Sequence, residues 1–544
     1  MGEFTLSGNL VDLIHRQIFP GTITINQSKI TSVKRDERVL SNRYILPGFI
    51  DAHVHTESSM LVPSEFARLA VVHGTVATVS DPHEIGNVLG INGIRYMMRN
   101  GSQVPFNFYF GAPACVPATS FETAGAVVDA QDIKALLADD GLHYLSEMIN
   151  FPGVLLSEPT VMEKIAIAKS LNKPVDGHSP GLRGEEARRY IAAGISTDHE
   201  CFTLEEALDK VRFGMKILIR EGSAAKNFEA LHPLIRMHPD KVMFCNDDAH
   251  PNELVLGHIN LLVRRAIVDK GHDVMDVLRA ACLHPIEHYT MDVGLLREGD
   301  PADFIAVDNL HDFNVLQTYI KGALVAENGK SLIPRVNAEL INHFTAWTTQ
   351  PSDFQIRAKG PRIRVIEALD GQLVTNALEE TAKIEDGYLV SDPTRDLLKI
   401  VVVNRYKKAP PAIGFVKNFG FQSGAIASSV AHDSHNIIAV GVTDEEICRA
   451  VNAIMENHGG VAVVSGSSLD VLPLPIGGLM SPDDGYAVAA HYSAIDSQAK
   501  RLGTHLQAPF MTLSFMALLV IPSLKLSDQG LFDGKAFRFV DVSD

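Results

Sequence analysis

Positive charge is in short supply in this chain. Lys and Arg number 48 against 65 Asp and Glu, a formal net charge of -17, which argues against nucleic acid or an anionic membrane as partner. Long apolar runs are missing too. None approaches eighteen residues, so no membrane span is expected. Residues 1–9 have no basic start followed by an apolar core, so no signal peptide is expected. Cysteine is scarce: Cys115, Cys201, Cys245, Cys282 and Cys448 are odd in number and scattered. They fit reduced thiols in a cytoplasm better than a disulfide framework. Internal repeats and low-complexity segments are absent.

What is present is ordinary for a soluble globular protein: 46% hydrophobic and 21% charged residues. A length of 544 residues leaves room for three or four domains, or fewer if one is a large barrel. A nucleobase or another small molecule stays open as a partner. Residues 1–45 read as short strands, with Thr22-Ile23-Thr24-Ile25 alternating polar and apolar. Apolar strand candidates then follow at 46–55, 75–81, 104–112, 141–150, 174–178, 194–199, 215–220 and 241–247. Helical stretches lie between them, among them 64–73, 130–138, 185–193 and 204–213. Eight alternations of strand and helix argue for a parallel (β/α)8 barrel, although periodicity alone also allows an open doubly wound sheet. From about residue 350 the pattern changes to strands such as 398–403 and 431–441 and a helix over 444–457, a further α+β domain.

The chemistry-bearing residues sit where those strands end. His53-Val54-His55 closes the apolar run that begins at Ile45. Residues two apart on a strand share a face, so both imidazoles aim at one point, half of a metal site. Glu147 stands in the fourth strand, His178 ends the fifth, His199 the sixth, and Asp247-Asp248 the eighth. All these side chains are imidazole or carboxylate with no evident thiolate, which permits zinc, manganese or iron.

Leu46-Pro47-Gly48-Phe49-Ile50-Asp51-Ala52-His53-Val54-His55 resembles the opening strand of the amidohydrolase superfamily barrel. The resemblance favours a closed TIM-like barrel over an open sheet. It implies a ligand set of His53, His55, Glu147, His178, His199 and Asp247. Many two-metal members place a carboxylated lysine at the fourth strand. No lysine lies in residues 144–154, but a glutamate offers two oxygens to two cations, so Glu147 favours a binuclear divalent centre, manganese or iron with zinc possible. Two such cations would share a water and lower its pKa, and Asp247 would move its proton to the leaving group. The sequence leaves open which of Asp247 and Asp248 is the ligand; the resemblance favours Asp247. The stretch 298–308 resembles the return into the small β-domain of amidohydrolases. The implied division is 1–45 with 291–345 as a discontinuous β-sandwich domain, 46–290 as the barrel, and 350–544 as the C-terminal domain.

Longer motifs narrow the family. His53-Val54-His55-Thr56-Glu57-Ser58-Ser59-Met60, Ser80-Asp81-Pro82-His83-Glu84-Ile85-Gly86-Asn87-Val88, Gly414-Phe415-Val416-Lys417-Asn418-Phe419-Gly420 and His432-Asp433-Ser434-His435-Asn436 look like bacterial adenine deaminases, over nearly the whole chain. That resemblance implies hydrolysis of adenine to hypoxanthine and ammonia by a metal-bridging hydroxide, in purine salvage, by a cytoplasmic enzyme with a homo-oligomer as the expected assembly. Candidates for the purine pocket are His83, Glu84, Arg220, Asp248, His432 and His435. The other base-deaminase design, His-x-Glu with Pro-Cys-x-x-Cys, is absent. A cyclic-amide hydrolase with the same metal chemistry and a non-catalytic barrel scaffold remain as alternatives.

Overall fold

The structure is a computed structural model and describes residues 2–543. It has a mixed α/β architecture. The chain opens with antiparallel strands Phe4–Asp12, Gln17–Asn26 and Lys29–Arg35. Gln17–Asn26 buries Gly21, Ile23 and Ile25 and leaves the residues between them partly exposed, the period of a half-buried strand. Tyr44–Pro47 then pairs parallel with Phe4–Asp12 on one side and antiparallel with Phe304–Val307 on the other. Through that shared strand, the expected β-sandwich is in hydrogen-bonding terms a single eight-stranded sheet, completed by Val315–Ile320, Ala323–Glu327 and Lys330–Ser331.

The apolar run 46–55 is not one strand. It breaks at Gly48 into Tyr44–Pro47 and Phe49–Val54, because the chain leaves one sheet and enters another there. A Cβ on Gly48 would stand 2.2 Å from Cγ1 of Val76, so only glycine leaves room for the Val76 side chain.

Phe49–Val54 is the first of eight parallel strands. The others are Thr75–Ser80, Asn107–Phe110, Leu145–Met148, Val175–Gly177, Thr197–Asp198, Lys216–Arg220 and Val242–Cys245. Each lies inside its sequence-expected segment. The first three pair in one sheet, the fourth with the fifth, and the last three in another. Isolated bridges and backbone hydrogen bonds join these groups. Ala112 bridges Leu145 and Val54 bridges Asp247, both in parallel sense, and the Ser196 amide donates to the Val175 carbonyl at 2.9 Å. Every residue of the first two strands is buried, as expected of parallel strands covered on both faces. The helices between them start where their caps dictate. Asp129 accepts from the amides of Gln131 and Asp132 ahead of Ala130–Ala138, and Asp132 reciprocates.

Beyond these strands lies a second eight-stranded sheet, with Leu397–Val403 and Ile437–Gly441 at its centre. Helix Asp444–Glu456 covers one face, packing Ile447, Val451 and Ile454 against Val401, Ala439 and Ala462. Ile400, Val402, Ile438 and Val440 face the other way and join the core that contains Phe49 and Val76. The expected strand over 431–441 begins only at Ile437. Residues 431–436 instead turn back on themselves. The amide of Ala431 donates to Nδ1 of His435 at 3.1 Å, and the amide of His435 donates to the Ala431 carbonyl at 2.8 Å. That turn carries His432 towards the parallel strand ends. Buried Glu65 ties the two regions together, accepting from the Gly485 amide at 2.9 Å and from Nε of Arg335 at 3.1 Å.

The crossing at Gly48 generates a prediction. Gly48→Ala overpacks against Val76 and is expected to lose about 1–3 kcal/mol of stability. Val76→Ala in the same chain should restore part of the loss, and a double-mutant cycle by chemical denaturation measures it. Additive losses would show that the close approach does not limit the substitution.

Candidate metal centre and active site

The first strand delivers His53 at its end and His55 one residue past it. Their rings stand 4.8 Å apart and nearly perpendicular at 85°, with Nε2 atoms 3.2 Å apart. Nδ1 of His55 donates to the carbonyl of Asp81 at 3.1 Å, which leaves the Nε2 lone pair facing the site. Asp247 is knitted to the same strand: its amide donates to the His53 carbonyl at 2.9 Å, and its carbonyl accepts from the His55 amide at 3.2 Å. Its backbone adopts φ +59, uncommon for a residue with a Cβ. Oδ1 of Asp247 lies 3.4 Å from His53 Nε2 and 3.2 Å from His55 Nε2. Oδ2 accepts from Arg220 at 2.5 Å.

Glu147 stands between two groups of imidazoles. Its Oε1 lies 3.4 Å from His55 Nε2 and 3.4 Å from His83 Nδ1. Its Oε2 accepts from His178 Nδ1 at 2.8 Å and faces His199 Nε2 at 3.2 Å. His199 stacks on His53, ring centres 4.2 Å apart. The six residues His53, His55, Glu147, His178, His199 and Asp247 thus come together, none more than 5% exposed.

These donors fit divalent cations. Nε2 of His199 faces Glu147 yet is buried without a hydrogen bond, an expensive arrangement unless something accepts its lone pair. Ligand atoms gather within 4.8 Å of one another in overlapping sets: His53 with His55 and Asp247, His53 with Glu147 and His199, and His55 with Asp81, His83 and Glu147. Burial would raise the Glu147 carboxyl, but His178, His199 and His55 hold it well below the usual carboxylate range. Burial would lower His178, yet Glu200 and Glu147 carry it up to about 9.

The pocket candidates divide. A cavity of about 20 Å³ beside the centre is lined by His83, Glu84, Asp248 and His432, and not by Arg220 or His435. Arg220 is fully buried behind the centre, where it pairs with Glu200 and Asp247. Its guanidinium holds the Asp247 carboxyl well below its ordinary value against the effect of burial. Asp248 accepts from Ser58 and lies 3.8 Å from His432 Nε2. Burial, and then the Asp247 charge, raise its carboxyl. His435 sits behind Glu84.

Sequence reading passed over three carboxylates. Asp81 lies 3.2 Å from His83 Nδ1, Glu200 lies 3.4 Å from His199 Nε2, and Asp433 lies 3.6 Å from His83 Nε2. Asp81 and Glu200 follow strand ends, so the rule that found the histidines also points to them. The apolar walls Leu373, Phe515 and Leu518 come from the C-terminal region and carry no comparable signal. Two of them are pinned by one side chain. Nζ of Lys525 donates to the Leu373 carbonyl at 2.6 Å and to the Phe515 carbonyl at 2.9 Å. Burial pushes this amine down to about 7. The two carbonyls take two of its N–H donors.

The chain matches the amidohydrolase family over residues 44–325 and the adenine deaminase C-terminal domain over residues 372–538. It is 55% identical over 541 residues to an adenine deaminase of Salinibacter ruber, covering 99% of each chain. It is 56% identical over 537 residues to an adenine deaminase of a Sulfurovum species, covering 98% of this chain and 99% of the other. It is 54% identical over 548 residues to an adenine deaminase of Methanosarcina mazei, covering 98% of each.

Lys525 gives a pH prediction. Its value of about 7 in the fold lies below the 10.5 of the free side chain, so between those limits the unfolded chain binds more protons and stability rises with pH. Lys525→Met removes this contribution. The melting temperature of the wild type should therefore rise relative to the variant as pH goes from about 7 to 10. A pH-independent difference between the two would show that the amine stays charged in the fold.

Proposed function

The chain belongs to the adenine deaminase family, its reaction is the hydrolytic deamination of adenine to hypoxanthine and ammonia, and we propose that two divalent cations held by His53, His55, Glu147, His178, His199 and Asp247 serve it. The observation that carries this reading is Glu147, whose Oε1 faces His55 and whose Oε2 faces His178 and His199. One carboxylate turned to two imidazole groups suits a shared ligand. Manganese or iron is the assignment, with zinc also compatible with imidazole and carboxylate donors.

Cations bound there would lower the pKa of a water towards neutrality and polarise the carbon it attacks. The chain's own residues do the rest. Arg220 engages Oδ2 of Asp247, so Oδ1 keeps its aim at the site. Asp247 takes a proton from the attacking water and passes it to the leaving nitrogen. Ile149, Leu373, Phe515 and Leu518 line the cavity with apolar walls that exclude bulk water.

The eight parallel strands are read as a closed (β/α)8 barrel, supported by the bridges Ala112 to Leu145 and Val54 to Asp247 and by the Ser196 to Val175 hydrogen bond. Residues 46–290 form this barrel, 1–45 with 291–345 the small β-domain, and 350–544 the C-terminal domain. Five free buried cysteines fit a cytoplasmic setting. No helix among the described residues is long and apolar enough to cross a membrane. The expected homo-oligomer is read by sedimentation velocity.

Purified enzyme loaded with manganese or iron should release ammonia from adenine and form hypoxanthine; turnover of a cyclic amide but not of adenine would sink the assignment. Glu147→Gln is expected to lower metal content from about two per chain and to reduce kcat by orders of magnitude. Full metal occupancy with near wild-type kcat would remove Glu147 from its bridging role. Protons compete with cations for the imidazoles. Metal retained after dialysis should therefore decline as pH falls, as read by elemental analysis.

A further inference from the structure

Glu84, His432 and His435 form a second cluster of ligand-type side chains, with ligand atoms within 4.8 Å of one another. Its hydrogen bonds show where the protons lie. The amide of Ala431 donates to Nδ1 of His435 at 3.1 Å, so that nitrogen is an acceptor and the ring proton sits on Nε2. Nε2 of His435 donates it to one oxygen of Glu84. The other oxygen of Glu84 accepts from Nδ1 of His432 at 2.5 Å. Both nitrogens facing Glu84 therefore carry protons, and protons rather than a cation fill the gap.

The consequence falls on the far side of His432. Its Nε2 is buried without a hydrogen-bond partner, on a residue that lines the cavity beside the metal centre. The ring is fixed in place: its amide donates to Ser514 Oγ at 3.2 Å, and Phe515 packs against it at 5.2 Å with an interplanar angle of 30°. A carboxylate bound to one imidazole nitrogen while the other faces a substrate cavity is the arrangement of an oriented acid or base. Glu84 follows the second parallel strand and His432 lies in the C-terminal region, so the group exists only when the two regions dock.

We propose that His432 is a catalytic acid of the deamination, protonating N1 of the purine as the water oxygen adds at C6. The proposal rests on the deaminase reading above. As the C6–O bond forms, the π pair of C6=N1 moves onto N1, which takes the proton from His432 Nε2. Asp247 takes one proton from the water and delivers it to the amino nitrogen; the C6–N bond then breaks and ammonia leaves. The second water proton, lost as C6=O forms, returns to His432. Adenine and water thus become hypoxanthine and ammonia with every proton placed. Glu84 and His435 are positioning residues. The charged and titratable groups facing His432 are Glu84, Asp248 and Asp433 with His435 and His250. Burial works against the charged ring, but Glu84 and Asp248 carry it up to about 9, so the acid is protonated at neutral pH.

The test uses the full, metal-loaded chain. His432→Gln and His432→Asn should retain metal and melting temperature, lose roughly 10²–10⁴-fold in kcat, and change KM far less. The wild-type kcat should fall on the alkaline side as the acid titrates, and the variants should lack that limb. Glu84→Gln should move the limb to lower pH, because the anionic partner is gone. A kcat within a few-fold of wild type in metallated His432→Gln, or a loss that only follows metal content, overturns the proposal. If both variants fail to fold, Glu84→Gln decides: an alkaline limb of kcat that stays where the wild type has it overturns the proposal, and one moved to lower pH supports it. A wild type that leaves adenine unchanged refutes the deaminase reading instead.

Discussion

Glu147 is a buried carboxylate set between imidazoles of three strand ends, and much of the structure depends on keeping it there. A charge withdrawn from water must be neutralised by partners held in place. His55, His178 and His199 converge on its two oxygens. Each ring comes from a separate strand of the parallel set, so the register of those strands sets the separation between the donor atoms. A loop-built site would leave those separations to flexible backbone.

Around that centre, partners oriented by further residues recur. Arg220 holds Asp247 and is itself held by Glu200. Asp81 fixes the tautomer of His55 through its backbone carbonyl. Glu84 fixes His432 while His435 occupies its second oxygen. In each case a buried polar side chain is satisfied on one side while its residue lines the cavity. Lys525 does the same for the apolar walls, engaging the carbonyls of Leu373 and Phe515 without a charged partner.

The C-terminal region gains its meaning from this arrangement. Its turn over residues 431–436 carries His432 to the parallel strand ends, and Leu373, Phe515 and Leu518 line the same cavity. One continuous apolar core contains both Phe49 and Ile438, and buried Glu65 reaches the amide of Gly485. The second sheet is thus packed on the first region through a continuous apolar core.

Much of this was legible in the residues alone. Alternation of strand and helix placed all eight parallel strands, because full burial on both faces demands continuous apolar runs. The strand-end rule also picked out His53, His55, Glu147, His178, His199 and Asp247, which the structure brings together, since strand termini in such a set point to one side. It failed where the signal was backbone geometry. The run over 46–55 conceals the Gly48 crossing, and the polar start of 431–441 conceals a turn. Arg220 reads as a pocket residue from its place at a strand end, yet it lies behind Asp247, because side-chain direction at a strand end depends on which neighbour claims the charge. What the sequence by itself determined was the order of the elements and the chemistry at their ends, both local properties of pattern and composition. Only the tertiary structure decided which carboxylate faces which imidazole and that Glu84 meets His432 across 348 positions of chain, because those pairings depend on how separately folded surfaces dock.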